Sequence, residues 1–284
     1  MFLFKKVVDL QKYLNIKRKK GDSIGLVPTM GALHVGHLSL IRQSMAQNDI
    51  TVACIFVNPT QFNEEGDLKK YPRTIGADID LLTTVDTDVL FLPNVDEVYP
   101  PDLDTSLNLD FGDLGQVMEG KFRPGHFDGM AQVVWRLLKI TEPDKLYMGQ
   151  KDFQQQAIVR NMLEQMQSDV ELIMCPIVRE EDGLAMSSRN LRLDPAHRSG
   201  ATIINDTLHK AKAMIGEKSP MEVSEWALQV LQQPGFKPEY FDIVDGIQLR
   251  KINNFEDADL VVACTAVWAG EVRLIDNLIL KDNL

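Results

Sequence analysis

The sequence predicts an α/β protein with two parts, an N-terminal doubly wound parallel sheet and a smaller C-terminal α+β domain. Strand-like and helix-like segments alternate along residues 1–178, and the strand-like runs are almost continuously apolar, as in strands covered on both faces. Polar clusters follow the ends of these runs, where a parallel sheet binds its ligands. Residues 179–284 instead contain helices followed by short strands. We therefore place the domain boundary between residues 178 and 179.

The N-terminal domain begins with a predicted helix over residues 5–20 and a short buried strand over residues 24–27. Pro28 is expected to end this strand, and Gly31 to allow a tight turn. A second helix is expected to begin at His34, because apolar residues recur after it at helical spacing, at Leu38, Ile41 and Met45.

The turn between this strand and helix is predicted to bind a nucleotide phosphate. Free backbone N–H groups and the positive end of the helix dipole are expected to point out of the helix N-terminus. His34 and His37 lie three residues apart on one face of the first turn, and Gly36 leaves room for a phosphate to approach the backbone.

Other roles for this histidine pair are possible from the sequence. Each ring could be a helix cap or a half-buried helix residue, and the two could together bind a metal. No Cys, Asp or Glu lies at a suitable local spacing, which disfavours the metal. Two of the chain's five histidines within four residues, beside Gly31 and Gly36, favour the phosphate interpretation.

Four more strands complete the predicted Rossmann-like sheet, at residues 51–57, 89–92, 146–148 and 170–178. Helices are predicted between them at residues 76–85, at 126–140 and from 153 to about 167, whereas 63–74 reads as an exposed loop and 94–125 gives no clear pattern. Polar residues follow the strands: Asn58 and Gln61 after the second, Lys151 and Asp152 after the fourth, and Arg189 after the last. No G-x-G-x-x-G follows any strand, so a dinucleotide cofactor is unsupported.

In the C-terminal domain, helices are predicted at about residues 194–215 and 220–232. Three short strands are predicted after them, near residues 239–244, 260–267 and 271–275.

Composition narrows the class of protein. The net charge is −11, from 30 basic and 41 acidic residues, which argues against nucleic-acid and membrane-surface partners. The three cysteines are far apart in apolar runs, which favours reduced core residues over a disulfide framework. We find no signal-peptide pattern and no apolar run approaching the ~20 residues of a membrane span, and expect a cytoplasmic protein.

The segment from Met186 to Arg189 supplies groups that suit a phosphate. Serine hydroxyls donate to phosphate oxygens, and an arginine can bind them through two parallel hydrogen bonds. Taken singly, Ser187 and Ser188 could equally cap a helix or form a turn, and Asp152 could cap the helix after it. Together the clusters describe a pocket with a helix dipole, two imidazoles, a lysine, an arginine and neutral amides. Without a Ser–His–Asp order or a close carboxylate pair, nucleophilic hydrolysis and glycoside chemistry are poorly supported.

Several blocks of the sequence resemble the pantothenate synthetase (pantoate–β-alanine ligase) family of the nucleotidyltransferases that carry an H-x-G-H motif. The blocks are PTMGALHVGH, FVNPTQF, YPRT, EGKFRPGHFDG, GQKDFQQ, DGLAMSSRN and RLIDN. They are dense over residues 24–193 and thinner afterwards. Gln150 replaces the acidic residue of the family's usual G-E-K-D, and Met186 stands where leucine is frequent.

The resemblance implies a two-step reaction. Pantoate and ATP form pantoyl adenylate and pyrophosphate, and β-alanine then displaces AMP. The resemblance also implies Mg²⁺ bound through the nucleotide phosphates, with no protein ligand assigned, and a homodimer. A cover is expected to exclude water from the adenylate. Residues 63–74 and the C-terminal domain, hinged near residues 179–183, would form this cover.

The same resemblance assigns residues to roles. His34, His37, Lys151, Ser187, Ser188 and Arg189 would be catalytic, with His37 as the proton donor. The ATP site would comprise these six with Met30, Gly31, Gly36, Gly149, Asp152, Val178 and Met186. Pantoate and β-alanine would be bound by Asn58, Gln61, Arg123 and Gln155.

Two other functions use the same motifs. Another H-x-G-H nucleotidyltransferase would adenylylate a phosphorylated cofactor precursor, releasing pyrophosphate but no AMP. A nucleotide sensor would bind ATP without chemistry, and its second domain would relay occupancy to a partner.

Overall fold

A computed structural model of the chain describes residues 1–62 and 65–283. These residues form a six-stranded parallel sheet and a three-stranded antiparallel sheet. The parallel sheet has the order β1-β4-β3-β2-β5-β6, with β1 (Phe2–Phe4), β2 (Ile24–Thr29), β3 (Ile50–Ile55), β4 (Val89–Phe91), β5 (Lys145–Gly149) and β6 (Glu171–Cys175). The second sheet has the order β7-β8-β9, with β7 (Phe236–Asp245), β8 (Leu260–Ala269) and β9 (Val272–Asp282).

Helices connect the parallel strands and precede the antiparallel ones. In the N-terminal part they are α1 (Val7–Arg18), α2 (Val35–Gln47), α3 (Glu65–Lys70), α4 (Ile75–Thr84), α5 (Val95–Val98), α6 (Glu119–Phe122), α7 (His126–Thr141) and α8 (Phe153–Gln165). In the C-terminal part they are α9 (Pro195–Gly200), α10 (Ile203–Ala213) and α11 (Pro220–Leu231). None of the helices in the described ranges is long and apolar enough to cross a membrane.

Helices cover both faces of the parallel sheet, which explains why its central strands are apolar on both sides. Leu26 and Val52 pack in one core with residues of α1, α7 and α8. Their sequence neighbours Val27 and Ala53 pack in a second core with residues of α2 and α4. The doubly wound α/β prediction is therefore confirmed. The three cysteines are buried and free, as the core interpretation predicted: Cys54, Cys175 and Cys264.

The sequence prediction missed β1, which pairs in parallel with β4 at the sheet edge. Phe2 and Leu3 are exposed, and charged Lys5 and Lys6 follow at once, so three residues give no strand pattern. The expectation that Pro28 ends the first predicted strand is wrong, because β2 continues to Thr29. The ladder between β2 and β5 covers only Gly25 and Leu26, so the missing N–H of Pro28 costs no hydrogen bond on that side.

Three other expectations need correction. Residues 65–70 form α3 inside the stretch predicted as a loop, and residues 63 and 64 of that stretch lie outside the described residues. The strand predicted to run to Val178 ends at Cys175, where its ladder with β5 ends at Gly149 and Pro176 follows. In the C-terminal domain β9 runs to Asp282, well beyond the predicted end at residue 275.

The antiparallel sheet is also buried on both faces. Val261 and Ala263 of β8 pack with residues of α10 and α11 in the core of the C-terminal part. Val262 and Cys264 face the other way and pack with Phe153 and other residues of the N-terminal part. The smaller sheet is therefore packed directly against the larger domain.

A buried ion pair strengthens this contact. Arg273 of β9 donates from Nη1 and Nη2 to the carboxylate of Glu119, both at 2.7 Å. The Tyr240 hydroxyl donates to the same carboxylate at 2.8 Å. Burial alone would raise the pKa of Glu119, but the Arg273 guanidinium lowers it below its usual value, so the carboxylate stays charged.

Gly129 of α7 allows close packing against the turn at residues 59–61. A Cβ at this position would lie 2.2 Å from the Thr60 carbonyl oxygen. We expect Gly129→Ala to lower the free energy of unfolding by about 1–3 kcal/mol, because backbone must shift to relieve the overlap. Urea unfolding of the purified protein measures this change.

Gly76 of α4 is the matched control, since a Cβ there meets no heavy atom within 4 Å. Gly76→Ala should be neutral or stabilising by up to about 1 kcal/mol, because alanine favours a helix over glycine. Equal stability of the two variants would contradict the close packing at Gly129.

Candidate active site

A cleft lies beyond the carboxyl ends of β2, β3, β5 and β6. It contains a cavity of about 230 Å³. An adjoining cavity of about 420 Å³ shares with it the side chains of Met30, Gln61, Lys151, Asp152, Gln155, Ser187 and Arg189. The first cavity is also lined by His34, Gly36, His37, Asn58, Gly149, Val178, Met186 and Ser188. Residues from five separate segments are thus gathered at one edge of the sheet.

Two residues that the resemblance assigns to the site do not line the smaller cavity. Arg123 lines the larger cavity and not the smaller one. Gly31 shapes the loop before α2, since its φ is +81° and a Cβ would lie 3.1 Å from both the Asp78 carboxylate and the Ile55 side chain. Its place in the structure is that of a turn residue.

The first turn of α2 is capped by its own histidines. The Gly36 N–H donates to His34 Nδ1 at 3.1 Å, and the His34 N–H donates to His37 Nδ1 at 3.3 Å. The expectation of free N–H groups is therefore wrong at His34 and Gly36. Gly36 is needed for this arrangement, because a Cβ there would lie 2.9 Å from the His34 ring.

These hydrogen bonds determine the tautomer of both rings. A backbone N–H can only donate, so each Nδ1 must accept and the proton of each neutral ring lies on Nε2. Burial lowers the pKa of His37 to about 3, and the charge of Lys151 and the neighbouring ring act in the same direction. Burial and Lys151 also lower the pKa of His34. Both rings are therefore neutral Nε2–H donors at neutral pH.

Asp78 holds the loop that leads into α2, a role that sequence reasoning missed. Its carboxylate is 1% exposed and accepts from the N–H groups of Leu33 at 2.8 Å and Ala32 at 3.1 Å. Thr74 Oγ1 also donates to it at 3.1 Å. In the sequence this aspartate looks like any polar residue of a surface helix, so no local signal identifies it.

Gln61 is held in place by Asn58. Asn58 is 1% exposed, and its Nδ2 donates to the Gly129 carbonyl at 3.0 Å and to Gln61 Oε1 at 3.2 Å. Its Oδ1 accepts from the Tyr99 hydroxyl at 2.9 Å. Because these internal partners use the Asn58 amide, Asn58 supports the site. Gln61 lines the cavity, and its Nε2 donates to Met30 Sδ at 3.0 Å.

His126 links Arg123 to Gln61 and was also missed, although the EGKFRPGHFDG block contains it. Its Nδ1–H donates to the Gln61 carbonyl, and Arg123 Nη1 donates to its Nε2, each at 3.0 Å. Burial, helped by the charge of Arg123, lowers the pKa of His126 to about 4. A neutral, 2% exposed imidazole therefore positions the arginine.

Two cationic side chains of the smaller cavity come from short turns. Lys151 lies in a short 3₁₀ turn, Gln150–Asp152, and Arg189 lies in another, Ser188–Arg192. Ser187 caps the second turn by accepting from the Arg189 N–H at 3.3 Å. Asp152 precedes α8 but makes no side-chain cap hydrogen bond, so the predicted capping role is not observed. Among the described residues of the smaller cavity, Lys151 and Arg189 outnumber the single carboxylate of Asp152, which suits an anionic ligand.

Comparison with known proteins gives a consistent result. A family model described as pantoate-beta-alanine ligase matches residues 2–279. A pantothenate synthetase of Bacteroides thetaiotaomicron is 48% identical over 278 residues, covering 97% of this chain and 98% of that protein. One from Porphyromonas gingivalis is 48% identical over 283 residues, covering 99% and 100%.

Solved structures agree. A pantothenate synthetase from Thermus thermophilus is similar with a TM-score of 0.92 and 37% identity, covering 99% of this chain and 100% of that one. A pantoate-beta-alanine ligase from Francisella tularensis, complexed with beta-gamma ATP and beta-alanine, has a TM-score of 0.78 and 34% identity, covering 99% and 98%.

The tautomers of His34 and His37 can be measured directly. In ¹H–¹⁵N spectra of the side chains we expect both rings to carry their proton on Nε2 at pH 7. Because burial lowers the pKa of His37 to about 3, its ring should remain neutral as the pH is lowered from 7 to 5. His37→Gln identifies the signal, and the exposed His209 of α10 serves as the control ring. A His37 ring that gains its proton near its ordinary pKa of about 6.5 would contradict the geometry.

Proposed function

The chain belongs to the pantoate–β-alanine ligase family, and we propose that its cleft carries out the reaction in two steps through a pantoyl adenylate. The enzyme forms pantothenate from pantoate and β-alanine with consumption of ATP. In the first step an oxygen of the pantoate carboxylate attacks the α-phosphorus of ATP, and pyrophosphate leaves. In the second the β-alanine amine attacks the acyl carbon, a proton is lost from nitrogen, and AMP leaves.

The observation that supports this proposal best is the pair of neutral imidazoles beside Lys151 in one cavity. The nucleophile of the first step is the substrate's own carboxylate, so the protein has to position two anions and stabilise charge on the phosphates. Two Nε2–H donors and an ammonium group meet both needs. We assign His37 the role of a neutral hydrogen-bond donor in place of the proton donor that the resemblance implies, because a ring with a pKa of about 3 carries no extra proton at pH 7.

The remaining roles are those that the family resemblance implies, and the position of these residues in the cleft is compatible with them. Lys151, Ser187, Ser188 and Arg189 bind the phosphates, and the adenosine lies near Gly149, Asp152, Val178, Met30 and Met186. Gln61 and Gln155 bind pantoate between the two cavities. Arg123, held by His126 in the larger cavity, binds the carboxylate of β-alanine.

We propose that Mg²⁺ enters with ATP. Among residues 1–62 and 65–283, no three His, Cys, Asp or Glu side chains are arranged to hold a metal ion. Asp152 is a carboxylate in the lining of the smaller cavity. This fits an ion that binds mainly to phosphate oxygens and water, with at most one or two protein carboxylates. When bound, the ion would neutralise part of the phosphate charge.

A homodimer and a cytoplasmic location are also part of the proposal. Family resemblance suggests the dimer. The exposed apolar side chains of Phe2 and Leu3 in β1 would form part of the dimer interface. Three free, buried thiols suit a reducing compartment.

We propose that α3 and the segment after it, residues 71–74, cover the cleft. Gly66 of α3 lines the larger cavity and Tyr71 the smaller one. The C-terminal domain, residues 179–284, also encloses the site. Its rotation about residues 179–183 would have to separate the buried Glu119–Arg273 pair, so the shorter segment is the better candidate for movement.

The proposed chemistry predicts AMP release that requires ATP, pantoate and β-alanine together. Another nucleotidyltransferase would release only pyrophosphate and ignore β-alanine, and a sensor would release neither product. We expect His37→Ala to lower kcat for AMP release by about 100- to 1,000-fold, as for loss of one oriented donor in an active site.

His209→Ala is the matched control, because this histidine is exposed on α10. Its activity should equal that of the unmodified protein. Full activity of His37→Ala, with unchanged folding, would refute the role of the first turn of α2.

If residues 65–74 cover the cleft when ligands bind, this segment should then be protected from protease. Trypsin cleavage after Lys69, Lys70 or Arg73 should slow when ATP and pantoate are both bound, because the segment would then be held against its ligands. Cleavage after Lys19 or Lys20, exposed at the end of α1, is the internal control and should keep its rate. Equal rates at residues 69–73 with and without ligands would count against the cover.

A further inference from the structure

A buried amide of the C-terminal domain contacts the turn that carries Lys151. Asn277 of β9 is 2% exposed. Its Nδ2 donates to the backbone carbonyls of Gln150 at 3.0 Å and of Lys151 at 2.9 Å. Its Oδ1 accepts from Gln150 Nε2 at 3.0 Å. Because carbonyl oxygens can only accept, the orientation of the Asn277 amide is fixed.

The turn receives an external donor. Gln150–Asp152 is a single 3₁₀ turn between β5 and α8. The ladder between β5 and β6 ends at Gly149, the residue immediately before it. The Asn277 amide therefore supplies this turn with two hydrogen bonds from outside its own segment.

Asn277 is itself firmly held. Its N–H donates to Asp276 Oδ1 at 2.7 Å. The Asp276 carboxylate, 3% exposed, accepts from Arg179 Nη1 at 2.7 Å and from Nη2 at 3.1 Å. Arg179 also donates to the Gly183 carbonyl at 3.1 Å, in the segment leading to Ser187. A bidentate arginine–carboxylate pair has a fixed geometry. Asn277 is therefore connected through hydrogen bonds both to the turn of Lys151 and to the segment that leads to Ser187.

We propose that Asn277 is a positioning residue for Lys151. It fixes the backbone from which the lysine side chain extends, so that the ammonium group reaches the phosphates of ATP. The lysine stem is long and flexible, and a small rotation of the turn is therefore amplified at the ammonium group. This inference rests on the proposed phosphate-binding role of Lys151.

The chain offers a close test of this inference. Asn277→Asp keeps the shape of the side chain but places a carboxylate, which cannot donate, against two carbonyl oxygens. Asn277→Ala removes both donors without adding a charge. We expect either change to lower kcat/KM for ATP by about 10- to 100-fold, from two lost hydrogen bonds and a displaced ammonium group. The KM for β-alanine should stay within about twofold of its value in the unmodified protein, because a change at Asn277 has little effect on sites that it does not contact.

A double-mutant cycle separates positioning from general stability. In a Lys151→Ala background, Asn277→Asp should change the Kd of ATP, measured by calorimetry, by less than about twofold, because its effect passes through the missing lysine. An equal loss of ATP affinity with and without Lys151 would overturn the proposal. So would normal ATP kinetics in both Asn277 variants.

The controls keep the outcomes distinct. Asn283→Asp makes the same chemical change at an exposed position just after β9 and should leave ATP kinetics unchanged. If Asn277→Asp does not fold, Asn277→Ser, which keeps one donor, takes its place in the cycle and should show the same dependence on Lys151. If Lys151→Ala alone leaves ATP affinity and turnover unchanged, the phosphate-binding role of Lys151 fails, whatever the result at Asn277.

Discussion

Two backbone N–H groups at the start of α2 donate to the Nδ1 atoms of His34 and His37, and this reciprocal capping sets the chemistry of the cleft. The sequence suggested a helix N-terminus that would bind phosphate through its free N–H groups. The structure instead uses those groups to orient two imidazoles. The donors offered to a ligand are consequently side-chain Nε2–H groups, which reach further from the helix than its backbone does.

The second constraint is that the small sheet is packed on both faces. It therefore cannot be an independent appendage of the larger domain. Glu119 binds both Arg273 and Tyr240 from across the boundary, and Asn277 binds the turn of Lys151. Separating the domains would expose apolar surface and leave a buried carboxylate without its cationic partner, which is costly. This packing brings the C-terminal strands into direct contact with the turn that carries Lys151.

Local pattern and short motifs were enough to predict the fold class and most strands, and the rule for parallel sheets placed the polar clusters at one edge. The residues that were missed act through contacts distant in sequence. β1 has only three residues and is defined by its pairing with β4. Asp78 contacts backbone more than forty residues away, and Asn277 reaches a turn 126 residues earlier. The RLIDN block contains Asn277, but neither spacing nor composition shows what these side chains contact, because their partners are distant in the sequence.

Neutral imidazoles also suit a reaction that must release its anionic products. The protein carries a net charge of −11, but screening limits the reach of distant charges to about 8 Å at physiological ionic strength, so the local lining matters most. In the proposed reaction Lys151 and Arg189 already attract the triphosphate. If His34 and His37 were also charged, ATP and pyrophosphate would both bind more tightly. Tighter binding of substrate and product to the same extent does not speed the chemical step. A neutral donor with a fixed orientation stabilises the transition state more than the bound substrate when its N–H points to the position of the phosphate oxygen in the transition state. The low pKa of His37 therefore keeps its ring a neutral donor of fixed direction and prevents it from adding a further positive charge to the site.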